Sequence, residues 1–105
     1  MNEFENYRMK ANRTRVAGEI RSVTMNVAMG LAGETGEVID VLKKILFHGK
    51  PLDRTELMSE IGDVLFYLDW LASLHGMTLQ EVADANIIKL LKRYPDGFKH
   101  GGGHR

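Results

Sequence analysis

The chain has 105 residues, 44% hydrophobic and 27% charged, and its 14 Lys and Arg balance its 14 Asp and Glu at a formal charge of zero. That length fits one domain of about 100–200 residues, with the composition of a folded globule and not of a disordered segment. Zero net charge argues against broad nucleic-acid binding by phosphate neutralisation, and the lack of Cys excludes disulfides, thiolate zinc sites and Cys nucleophiles.

The opening MNEFENYRMK has no apolar core of the kind a secretory signal needs, so the expected location is the cytoplasm. Phe4, Tyr7 and Ala11 mark a short first helix over roughly 2–13. Val27, Leu31, Val38, Val41, Leu42 and Ile45 recur at three- and four-residue intervals and predict a second helix over 22–47, which stops at His48-Gly49-Lys50-Pro51. Leu57, Ile61, Val64, Leu65, Leu68 and Leu71 predict a third over 53–75. Its most apolar stretch, Val64 to Leu74, carries Asp69 and is shorter than the ~18 residues of a membrane span. Gly76 suits a left-handed C-cap, and Thr78-Leu79-Gln80-Glu81 reads as a capping box. The box opens a fourth helix over 78–93, with Val82, Ala85, Ile88 and Leu91 as its apolar positions, and Pro95-Asp96-Gly97 lies beyond its end. No segment alternates with period two. The predicted class is therefore all-α, a four-helix bundle forming one domain over 1–98, with the Gly-rich 99–105 as a flexible tail.

Two acidic pairs interrupt the apolar stripes. Glu34 stands three residues after Leu31 and four before Val38, where an inward-facing residue is expected, and Glu37 follows on the same side of the helix. Glu60 and Asp63 repeat the spacing on the third helix beside Ile61, Val64 and Leu65. The short connection from Lys50 to Arg54 makes the two helices antiparallel neighbours. Facing pairs would crowd four negative charges, and carboxylates about 4 Å apart repel by about 4 kcal/mol at an effective dielectric near 20. A hard divalent cation such as magnesium, manganese or calcium offsets that repulsion, and magnesium so held commonly binds substrate phosphates as well. The competing account makes the acids solvated face residues paired with Lys or Arg; two pairs on consecutive helices favour the metal. Asp40 is as well explained by exposure as by membership of the cluster.

Gly30, Gly33, Gly36 and Gly62 lie inside predicted helices, where each costs about 1 kcal/mol relative to Ala. Close helix packing and clearance for a ligand both account for them. Asn86, Lys89 and Arg93 place an amide and two cations on one face of the fourth helix, suited to polyphosphate or simply to the helix C-terminus. Lys43 and Lys44 fit either account. The four histidines lack metal-ligand spacing and are expected at the surface or at helix ends, while Phe66, Tyr67 and Trp70 are expected in the core or at a subunit contact.

Gly33-Glu34-Thr35-Gly36-Glu37 and Glu60-Ile61-Gly62-Asp63-Val64, separated by 22 residues between Glu37 and Glu60, resemble the E-x-x-E, spacer, E-x-x-D signature of the MazG-type all-α nucleoside triphosphate pyrophosphohydrolases. Asn86 to Pro95, with Gly97-Phe98, is similar to the closing stretch of small phage and bacterial members, so the resemblance covers roughly 26–98. It implies a MazG-like bundle assembled as a homodimer or homotetramer, with active sites near subunit contacts. The implied reaction is hydrolysis of a nucleoside or deoxynucleoside triphosphate between the α and β phosphates to monophosphate and pyrophosphate. By that likeness Glu34, Glu37, Glu60 and Asp63 bind magnesium, with manganese as a substitute, Lys89 and Arg93 approach phosphates, and Asn86 meets the nucleotide. Glu37 is the acid chosen to orient the attacking water or take its proton. Arg13 and Thr14 are weaker candidates for ligand contact. The implied partners are the triphosphate and further copies of the chain, with neither polymeric nucleic acid nor membrane.

Two rivals stand beside this reading. A di-iron carboxylate bundle uses Glu-x-x-His pairs, but Glu37 and Asp63 occupy the positions where His is needed. A non-enzymatic helical interaction module would make the acids a docking surface and the aromatics a dimer seam.

Overall fold

Residues 2–97 are described by the structure, a computed structural model; the tail expected at 99–105 lies outside them. Four helices follow in order: α1 (Glu3–Ala11), α2 (Ile20–Phe47), α3 (Arg54–Leu74) and α4 (Leu79–Arg93), with a 3-10 turn at Asn12–Thr14 after α1. There is no strand among the described residues. The all-α expectation holds.

Side-chain caps set the helix starts. The Asn2 amide oxygen accepts from the Glu5 N–H at 2.8 Å, and Asp53 accepts from Thr55 and Glu56 at 3.0 and 3.2 Å. Thr78 and Glu81 form the anticipated capping box. α2 starts two residues earlier than predicted because Glu19 acts as its N-cap, accepting from the N–H groups of Arg21 and Ser22 at 3.0 Å each. Those bonds hold the Glu19 carboxyl below its ordinary value. The predicted first helix ends early, with Asn12–Thr14 tightening into the 3-10 turn. α3 ends on Gly76 at φ 73°, with Gly76 N–H bonded to Ser73 and Met77 N–H to Ala72, the Schellman arrangement that only a left-handed residue closes easily. His48 and His75 are the C-caps of α2 and α3, as helix-end roles require; His100 and His104 lie outside the described residues.

α2 and α3 form the body of the molecule as an antiparallel pair. Gly30 approaches Tyr67, and a Cβ at position 30 would lie 2.5 Å from that ring, so this glycine serves close packing. Gly33, Gly36 and Gly62 face open space instead. Val23, Val27 and Val41 on α2 and Ala72 on α3 are the buried apolar residues among those described.

The other fully buried side chain of size is Asp69. Arg8 Nε donates to its two oxygens at 3.1 and 3.3 Å, and Arg15 Nη1 donates to Oδ2 at 2.8 Å. Arg15 also donates to the Phe66 carbonyl at 3.0 Å, and its guanidinium carbon lies 4.7 Å from the Phe66 ring centroid. Phe66 and Trp70 meet edge to face, so the aromatics support this clamp and their expected packing role holds. Two cations satisfying one buried carboxylate fasten α1 and the connector to α3. Replacing Asp69 by Ala strands both guanidiniums and is expected to destabilise the fold by about 3–5 kcal/mol, measured by urea denaturation at fixed protein concentration.

Candidate metal centre

Helical periodicity brings Glu34 to the middle of the α2–α3 contact. Opposite it, near the middle of α3, lie Glu60 and Asp63, and the three each offer a carboxylate oxygen, all within 4.8 Å of one another; Glu34 and Glu60 are half-buried and Asp63 is exposed. No Lys or Arg forms an ion pair with any of the four signature acids among the described residues. The pairing with surface cations that the competing account expects is not found among these residues, while the exposure it expects is found at Glu37 and Asp63.

The electrostatics show the resulting tension. Burial pushes the Glu60 carboxyl above its ordinary value, and the nearby Asp63, Glu37 and Glu34 carboxylates push it further, with Glu56 adding to them. Glu37 thus lies within electrostatic reach of the cluster but outside its close set of three, and it is exposed. Hard oxygen donors, mutual repulsion and the absence of paired cations suit a divalent ion such as magnesium.

α1 contributes a residue that the sequence reading did not single out for the site. Burial raises the Tyr7 phenol above its ordinary value, Arg15 opposes the rise, and Asp69 and Asp63 reinforce it, so Tyr7 is within electrostatic reach of both the clamp and Asp63. Asp69, Arg8 and Arg15 were also missed as a unit. The available signal was an aspartate inside the most apolar stretch of the chain, which demands a buried partner. Arg13, in contrast, is exposed, and the Thr14 hydroxyl donates to the Ala11 carbonyl at 2.9 Å.

The basic face of α4 does not join the acids. Asn86 and Lys89 line an open cleft of about 560 Å³ with Met77, Glu81, Val82 and Ala85, while Arg93 is exposed in the last turn of α4. Lys43, Lys44 and Asp40 are exposed on α2.

The sequence profile of the MazG nucleotide pyrophosphohydrolase domain matches residues 24–98, which includes all four acids and the α4 trio. The chain is also similar to the Gene 37 protein of Mycobacterium phage L5, 34% identical over 106 residues that cover 92% of this chain and 93% of that protein. No solved structure matches it.

A raised Glu60 carboxyl has a definite pH signature. The folded state holds that proton more tightly than the unfolded chain, so Glu60 costs stability as pH rises through its raised value and ceases to do so on acidification. In chelator, Glu60→Gln is expected to melt above wild type at about pH 7 and to lose that advantage at about pH 4.5, as read by thermal denaturation of both proteins across the range.

Proposed function

Because the chain belongs to the MazG nucleotide pyrophosphohydrolase domain family, we propose that it hydrolyses nucleoside or deoxynucleoside triphosphates between the α and β phosphates, releasing a nucleoside monophosphate and pyrophosphate. The observation that carries this reading is the convergence of Glu34, Glu60 and Asp63 oxygens within 4.8 Å on two antiparallel helices. These three side chains hold magnesium, or manganese in its place, and Glu37 completes the set from the next turn of α2. When bound, the cation neutralises phosphate charge and acidifies water.

Water adds to the α phosphorus, the bridging P–O bond toward the β phosphate breaks, and pyrophosphate departs. Glu37 orients that water and accepts its proton, a role suited to its position outside the close set of three and to its exposure. Lys89 and Arg93 bind the phosphates and Asn86 the nucleotide; all three side chains are exposed and available on α4. Residues 1–98 act as one catalytic domain. No helix among the described residues is long and apolar enough to cross a membrane, and the proposed location is the cytoplasm, where triphosphates are held.

The working form is a homodimer or homotetramer. Met25, Ala28, Ala32, Ile39, Leu42 and Leu46 form an exposed seam on α2 at the alternating spacing of a coiled coil, interrupted at Thr35, and Met58, Ile61 and Leu68, with the half-buried Leu65, form another on α3. Each seam lies about 145° around its helix from the residues that make the α2–α3 contact. The helices run antiparallel, so both seams open on one side of the pair, opposite Glu37 and Asp63. Leu46 is 70% exposed and Ile61 53%, which is costly to leave in water along a continuous face. A second copy seated there buries the seams and leaves the acidic edge open.

With magnesium, wild type is expected to release pyrophosphate from at least one member of a panel of canonical and damaged triphosphates. Glu60→Gln and Asp63→Asn should lower kcat/KM by about 100-fold or more. Unchanged hydrolysis in both variants, or no pyrophosphate from any nucleotide, would return the chain to a helical interaction module. Ile39→Glu combined with Ile61→Glu should yield monomer by light scattering.

A further inference from the structure

None of the 15 residues of α4 is buried, and Ile87, Ile88 and Leu91 are each more than half exposed. A helix with so little packing takes its direction from its first turn. Three features shape that turn: the Schellman closure around Gly76, the Thr78 capping box, and a bond from Arg8 Nη2 to the Met77 carbonyl at 2.8 Å. The first two are local and would accompany α4 at any angle to the rest of the molecule. The third is not, since Arg8 lies 69 residues away on α1.

The same guanidinium is fixed at its other edge. Arg8 Nη2 is 3.0 Å from Asp69 Oδ1, and Nε donates to both carboxylate oxygens, so one planar fork joins the C-terminal part of α3 to the peptide that enters α4. Phe4, Glu5 and Arg8 of α1 line a narrow crevice with Asp69, Thr78 and Leu79. Lys89 and Arg93 lie about 15 and 21 Å along the axis from Leu79, so a swing of about 10° at the turn moves them by about 3–4 Å. A misplacement of about 1 Å is enough to weaken positioning-dependent catalysis.

We propose that Arg8 is a positioning residue: held by Asp69, it grips the Met77 carbonyl and so aims α4, with Lys89 and Arg93, at the nucleotide phosphates. This rests on the phosphate-binding role proposed above for those two cations. Arg15 supplies a control within the same clamp. It shares Asp69 and reaches the Phe66 carbonyl, but its hydrogen bonds do not include the α3–α4 turn.

The chain has no Cys, so spin labels at Ser59→Cys on α3 and Lys92→Cys on α4 report one distance when labelled protein is diluted with unlabelled copies. Electron–electron double resonance is expected to give one narrow distance in the otherwise wild-type and Arg15→Gln proteins. In Arg8→Gln the distance should shift or broaden by about 3 Å. Arg8→Lys keeps a positive charge beside Asp69 without the second arm of the fork, and carries the same expectation if Arg8→Gln does not fold. In kinetics, Arg8→Lys should raise KM for the triphosphate about tenfold with kcat and the magnesium requirement nearly unchanged, while Arg15→Gln lowers the melting temperature without that KM shift. An unmoved α4 in the Arg8 variants overturns the positioning role, as does an equal KM shift in Arg15→Gln. Wild-type protein that releases no pyrophosphate defeats the underlying enzymatic reading instead, and the distance measurement still decides whether Arg8 holds α4.

Discussion

The antiparallel contact of α2 and α3 is the constraint from which the rest follows. It packs Val23, Val27 and Val41 away from water. It lets the Tyr67 ring lie against the bare backbone of Gly30, and it brings Glu34 opposite Glu60 and Asp63. Apolar packing and carboxylate repulsion thus occupy one interface. The first supplies the stability that tolerates the second, and the second leaves a site whose charge a divalent cation can offset.

Around this pair the molecule relies on polar anchoring more than on a second layer of core. Asp69 takes two guanidiniums inside the protein, where removing either partner would expose the others to an uncompensated charge. The clamp reaches α1, the connector, α3 and, through Arg8, the entrance to α4. The apolar residues that a larger monomer would cover are left along the outer seams of α2 and α3. A small helical chain commonly completes its core with another copy of itself.

Much of this was legible in the sequence. The α3 and α4 boundaries followed from Gly76 and the Thr78–Glu81 box, because caps are local hydrogen bonds made by residues next to the helix they start or stop. The Glu34 and Glu60–Asp63 cluster was legible because helical period alone decides which residues share a face. The predicted start of α2 fell two residues late because Glu19, its N-cap, is not among the residue types that usually mark a helix start. Leu42, Ile61 and Leu68, which the structure leaves exposed, stood in the same stripes as the buried Val27 and Val41. Periodicity reports that a face is apolar and not what covers it.

From the sequence by itself came the all-α class, the number of helices and the pairing of two acidic motifs, since each depends on contacts within a few residues or on one short connection. The tertiary structure alone decided which three acids converge closely and that Glu37 stands just outside them. It also decided that Gly30 serves packing while Gly33, Gly36 and Gly62 face open space, and that Asp69 joins Arg8 to Arg15. Those outcomes depend on the angle and depth at which separate helices meet. Such distances arise from all the packed side chains together, across 61 residues in the case of Arg8 and Asp69, and no local pattern encodes them.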